Sequence, residues 1–279
     1  MSAPAVSVDA IRAPATHTFD HAARLWLVAG CFMLAGSVTL LPAWGVDERT
    51  LNGTGLWGKP LKFWASLAIH FLTLGVLVRL VEPTRRTGAV LLAVAYVSVV
   101  VGILEVIYIS LQAARGRASH FNLSTPLEGA LYGLMGVGAV ILLIASFAVG
   151  TALLRQGDRY TRPGLHAGAW IGLMTGSILT LIVAGTMSSG TSHFHGIMGS
   201  DANGLPVTGW STRLPDLRPA HFVATHLMQA LPLTGLLADR FVPGRARGIV
   251  LLATAIGVVL VAWLFGTALS GSAPLGFLG

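Results

Sequence analysis

Seven runs of apolar residues, each about twenty long, constrain this chain more than anything else in it. They lie at approximately 22–44, 60–81, 87–113, 127–154, 165–189, 218–238 and 248–270. A helix of that length crosses the hydrocarbon core of a bilayer. Backbone polar groups in lipid must be satisfied within a helix or a closed barrel, and a barrel strand would alternate apolar with polar residues. These runs do not alternate. Only 10% of the residues are charged and 54% are apolar, whereas about a quarter of a soluble domain is charged. The expectation is an all-α polytopic transmembrane bundle of seven spans. Residues 1–20, small, polar and Pro-containing, read as a disordered segment, and 21–279 as a single domain.

Seven spans place the termini on opposite sides. One side holds Arg12, Arg24, Arg79, Arg85, Arg86, Arg155, Arg159, Arg162, Arg240, Arg245 and Arg247. The other holds Arg49, Lys59, Lys62, Arg115, Arg117, Arg213 and Arg218. Eleven cations against seven predict a cytoplasmic N-terminus and an external C-terminus in a bacterial inner membrane. The net charge of +7 is spent on orientation, so nucleic acid is not an expected partner. The single cysteine excludes an internal disulfide. Val28-Ala29-Gly30-Cys31 looks like a lipoprotein cleavage box, but too few apolar residues separate it from Arg24 for a signal segment.

Polar side chains inside spans mark function or interhelical contacts. Lys59, Lys62, Ser66 and His70 share one face of the second span at ~100° per residue. The bland reading leaves both lysines at the headgroups and Trp57 and Trp64 in an interfacial belt. Glu105, Tyr108 and Gln112 share a face of the third span, and Glu105 is the only acidic residue deep in any span. Either it binds a helix partner such as Lys62, or it serves as ligand, proton relay or base. Asp216 reads as the N-cap of the sixth span, which carries His221, His226 and Gln229. His70, Glu105 and Gln229 each lie ~15 Å below the outer boundary by helical rise. Thr125-Pro126-Leu127-Glu128 is a capping box, which makes Glu128 structural. His120 folds over the pocket or is solvated. His193-Phe194-His195 reads as a solvated loop rather than a metal clip. The Ser and Thr residues of the fifth span, Thr180 among them, read as glue between helices. No Cys-x-x-Cys, Walker loop, dinucleotide fingerprint or His-Glu-x-x-His is present.

Three stretches, Gly58-Lys59-Pro60-Leu61-Lys62-Phe63, Gln112-Ala113-Ala114-Arg115-Gly116 through Ser119-His120-Phe121-Asn122, and Trp210-Ser211-Thr212 through Asp216-Leu217-Arg218 and His221-Phe222, resemble a bacterial family of multi-pass membrane proteins with no assigned activity. That resemblance covers most of the chain and implies a shared seven-helix fold. The layout is also faintly similar to zinc-dependent membrane hydrolases of the ceramidase and adiponectin-receptor type. Those pair histidines at i, i+4, whereas His221 and His226 are i, i+5.

Three functions compete. The first is a redox or metal protein, a membrane-bound oxidoreductase if it is an enzyme. In it His70, His221, His226, Gln112 and Gln229 hold haem b or a transition metal (Fe, Cu or Zn), and His120, His221, His226 and Glu105 supply metal ligands. Glu105, Lys62 and Tyr108 are then the catalytic candidates. The second is a zinc hydrolase acting on lipid, with Glu105 as base. The third is a proton-linked transporter or sensor built on Lys62, Glu105 and the histidines. In each, membrane lipids surround the bundle, a small or lipophilic substrate arrives from the outer side, and oligomerisation stays open.

Overall fold

The computed structural model describes residues 20–156 and 162–278. Apart from Asp20, the segment expected to be disordered therefore lies outside the described residues. The helices are α1 (His21–Thr39), α2 (Leu41–Val46), α3 (Gly58–Leu77), α4 (Pro83–Arg86), α5 (Ala89–Ala114), α6 (Pro126–Leu154), α7 (Pro163–Ser188), α8 (Arg218–Phe241) and α9 (Ala246–Leu269). Six segments are long and apolar enough to cross a membrane: His21–Val46, Gly58–Leu80, Ala89–Ala114, Pro126–Leu154, Pro163–Ser188 and Pro243–Leu269. They point to a multi-pass membrane protein with an all-α bundle. The predicted sixth span is helix α8, which is long enough but too polar to count with these six. Arg218, His221, Thr225, His226, Gln229, Asp239 and Arg240 all lie on it.

The helices pack as two groups. Helices α1, α3 and α5 form one, α7, α8 and α9 the other, and α6 joins α5 to α7. In the first group indole N–H groups fasten helices together. Trp26 Nε1 donates to Ser98 Oγ and Trp64 Nε1 to Ser110 Oγ, each at 3.0 Å. Trp64 is therefore buried between helices and is not part of an interfacial belt.

In the second group glycine sets the spacing. Gly164, Gly168, Gly172 and Gly176 recur every four residues along α7 and face α8. A Cβ at Gly168 would fall on the Leu231 carbonyl oxygen, and one at Gly172 would lie 2.7 Å from that of Leu227. Small residues let membrane helices approach this closely, where dispersion replaces the hydrophobic drive. Thr180 and Thr225 hydroxyls meet across the same contact at 3.2 Å. The Asp239 carboxylate, near the end of α8, accepts the Gly164 and Leu165 amides at 2.8 and 2.7 Å. It satisfies donors that the first turn of α7 leaves orphaned.

The two ends of the bundle differ. At the Lys59 end lie the long connections. Asn52 and Gly53, both with positive φ, turn a short hairpin of β1 (Thr50–Leu51) and β2 (Thr54–Gly55). The Asn52 carbonyl accepts the Asp201 amide at 3.1 Å, so the hairpin rests on the 189–217 loop. The Arg85 end has short connections.

Candidate functional site

The site begins with the face of α3 that carries Lys59, Lys62, Ser66 and His70. Thr73 extends it by one more turn. Two loops and α8 close around that face.

The first loop follows α5. Gly116, at φ +69°, ends the helix, with Gly116 N–H on the Ala113 carbonyl and Arg117 N–H on that of Gln112. These two bonds make a Schellman cap, and glycine takes the left-handed position at low cost. Gln112 Nε2 and Asn122 Nδ2 then both donate to the Ala118 carbonyl, at 3.2 and 3.0 Å. The loop so shaped holds the His120 ring 5.4 Å from Phe63 and 5.9 Å from Tyr132. Burial, then the charge of Lys59 and the nearby His221, pushes the His120 pKa well below its ordinary value. At neutral pH this imidazole is uncharged.

The second loop, 189–217, folds on Asp216, which is fully buried. Its carboxylate accepts the Ser211 amide at 2.9 Å and the Arg218 amide at 3.0 Å, and it clamps the Arg218 guanidinium. The N-cap of α8 is therefore Leu217 and not Asp216 as expected; Asp216, one residue earlier, serves the first helical amide from outside and organises the loop. Arg218 Nη2 further reaches Asp201 at 2.8 Å and the Gly209 carbonyl at 2.7 Å. Asp201 accepts His193 Nε2 at 3.0 Å, so His193 is engaged within the loop. Burial opposes the Asp201 charge, but the His193 and Arg218 hydrogen bonds and charges outweigh it and hold the pKa below the ordinary carboxylate value. Lys62 Nζ donates to the Thr208 carbonyl at 3.0 Å, which fixes this loop to α3.

Helix α8 contributes the remaining groups. His221 lies near enough to His120 and His226 to interact with both electrostatically. Phe222 makes edge-on ring contacts with Trp210, at 5.3 Å between centroids, and with His226, at 4.1 Å. One turn deeper, His226 Nδ1 meets Gln229 Oε1 at 3.2 Å, and Gln229 Nε2 meets Thr73 Oγ1 at 3.4 Å. His70, near Thr73 on the α3 face, has a buried Nε2 with no hydrogen-bond partner.

The result is an asymmetric charge distribution. Asp201 and Asp216 are taken up by Arg218 and His193. Neither Lys59 nor Lys62 forms an ion pair among the described residues. The Lys59 ammonium lies 5.8 Å over the Phe63 ring, half-buried, and makes no hydrogen bond to a described residue.

Of the predicted site residues, the structure gathers Lys62, His120, His221, His226, Gln229 and His70 along this face. Three go elsewhere. Gln112 Nε2 donates to Glu128 Oε2 at 2.7 Å and Tyr108 OH to the same atom at 3.1 Å. These two side chains tie α5 to the start of α6 and do not reach the histidines. Thr125 Oγ1 accepts the Glu128 amide, as a capping box requires, but the Glu128 carboxylate turns to Gln112, Tyr108 and Arg117. Glu105 is buried against Gly138 of α6, its Oε1 unpartnered. It makes no hydrogen bond or ion pair with Lys62 or a histidine among the described residues. Among those residues no group of three or more His, Cys, Asp or Glu is placed to hold a metal ion.

Lys59, Thr73, Asp201 and Arg218 belong to the site but are not among the predicted site residues. Thr73 continues the α3 stripe and was legible on that ground. Asp201 carries no local signal, because its place follows from the loop fold. Comparisons with protein-family models, curated proteins and solved structures find no match to this chain.

Proposed function

We propose that this is a seven-span membrane protein that binds an anionic ligand at its Lys59 end, in the manner of a sensor or transporter. The observation that carries this reading is the pair of lysines, Lys59 and Lys62, which form no ion pair among the described residues and stand beside two imidazoles and aromatic walls. Among the described residues Lys59, Lys62 and Arg218 face only Asp201 and Asp216 in this partly desolvated cleft, and the excess of positive charge favours an anion. Helices α3, α6 and α8 all start at this end, each with a proline in its first turn (Pro60, Pro126, Pro219), and their positive dipole ends add to the field. His120 has its Nδ1 against Ser119 Oγ at 3.2 Å, which leaves Nε2 to meet a ligand. The same reading takes α8 as the seventh span, its polar face turned to the cleft, and places the Lys59 end outside a bacterial inner membrane.

Purified protein in nanodiscs is titrated with phosphate, sulfate and di- and tricarboxylates, and binding is read by calorimetry. At least one anion is expected to bind, with a loss of tenfold or more in Lys59→Gln and Lys62→Gln, and no loss in Arg213→Gln, an exposed loop cation. Lysine variants that bind as the wild type does would sink the reading.

A metal or haem reading keeps one supporting observation, the unpartnered Nε2 of His70. An absorbance spectrum with elemental analysis of the same sample decides it. A Soret band or stoichiometric metal, lost in His70→Ala, moves the assignment to redox chemistry.

A further inference from the structure

At the Arg85 end a groove runs between the start of α5 and the end of α6. Arg85, Val90, Leu91, Ala148, Thr151, Ala152 and Arg155 line it. Its make-up is two-sided. Arg85 and Arg155 stand exposed at the rim, and neither forms a hydrogen bond or ion pair through its side chain among the described residues. The trough below them is aliphatic. Thr151 is not a free donor there, because its hydroxyl already bonds the Phe147 carbonyl at 2.8 Å. Among the described residues the neighbouring charges are otherwise engaged or lie outside the groove: Arg86 pairs with Asp20 at 2.8 Å, and Arg79 and Glu82 line the adjacent depression. The groove lies within about two turns of the helix ends, near the level at which a span leaves hydrocarbon for headgroups.

We infer that this groove binds an acidic phospholipid, with its phosphodiester between Arg85 and Arg155 and an acyl chain along Val90, Leu91, Ala148 and Ala152. Arginine suits phosphate because its planar fork donates two parallel hydrogen bonds. Basic pockets between helices at a membrane face recognise anionic headgroups on these terms. A free phosphate would satisfy the rim and leave the aliphatic trough unused, so the occupant is the lipid. The site is independent of the one at the Lys59 end.

Delipidated protein in detergent is titrated with phosphatidylglycerol, with phosphatidylcholine of the same chains, and with glycerol 3-phosphate. Adducts are counted by native mass spectrometry. Phosphatidylglycerol is expected to bind in preference to phosphatidylcholine, and roughly tenfold or more weaker in the Arg85→Gln, Arg155→Gln double variant. Arg245→Gln, which removes another exposed arginine at the same end, keeps wild-type binding. Ala148→Phe leaves both arginines in place but fills the trough, and it too loses the adduct. Wild-type adduct levels in the double variant overturn the proposal, as does an equal loss in Arg245→Gln. Glycerol 3-phosphate competing at the same concentration as the lipid overturns it as well.

Discussion

Glu105 and Gly138 depend on each other. The carboxyl occupies space that any side chain at position 138 would need, since a Cβ there would meet Glu105 Oε1. Gly138→Ala is therefore expected to destabilise the protein by about 1–3 kcal/mol, the usual cost of overpacking. Glu105→Ala in the same chain should recover most of that loss, because it empties the contested volume. Melting of the two single variants and the double variant in detergent measures the coupling. His120 gives a second test through pH. Its folded pKa is depressed below the ordinary 6.5, so below that value the unfolded chain takes up a proton that the folded chain refuses. The unfolded state then binds more protons, and stability falls as pH drops below 6.5, by at most ~1.4 kcal/mol per pH unit for one group. His120→Phe should show a smaller difference in Tm between pH 7.5 and pH 5.5 than the wild type.

The packing of α7 on α8 separates two kinds of glycine in one helix. Gly168 sits against backbone, at the Leu231 carbonyl and Pro232, and neither can move aside. A Cβ at Gly185 would meet nothing within 4 Å. Gly168→Ala should cost at least ~1–3 kcal/mol through the clash. Gly185→Ala should be neutral or gain up to ~1 kcal/mol from helix propensity. Equal melting temperatures for the two variants would contradict this account of the contact. Helices of this kind were legible in the sequence, because run length and cap residues act locally. The start of α6 at Pro126 after Thr125, and the end of α5 before Gly116, follow from such signals. The Asn52-Gly53 turn was equally local, and it adds a hairpin to an otherwise helical chain.

At the scale of the molecule, what the sequence could not convey was azimuth. His70, Glu105 and Gln229 share a depth, and depth follows from counting residues. Which neighbour each one faces depends on how the helices are rotated in the bundle. Gln229 turns to Thr73 on α3. Glu105 turns to Gly138 of α6 and forms no ion pair among the described residues. Orientation, by contrast, is carried by the arginine count, and it predicts that the Arg85 end is cytoplasmic. With Cys31 replaced by Ser, cysteines are introduced at Arg85 and at Asn203, both exposed. Labelling in intact cells should reach position 203 and spare position 85, and the reverse pattern would invert the topology. The carboxylate of Asp239 also sets an order in time. It serves amides 75 and 74 positions earlier in the chain. During synthesis α7 therefore emerges before the group that completes its first turn exists. Its amino end must be served by water or headgroups until α8 has followed, so the two helices settle as one late unit and α7 has no finished form of its own.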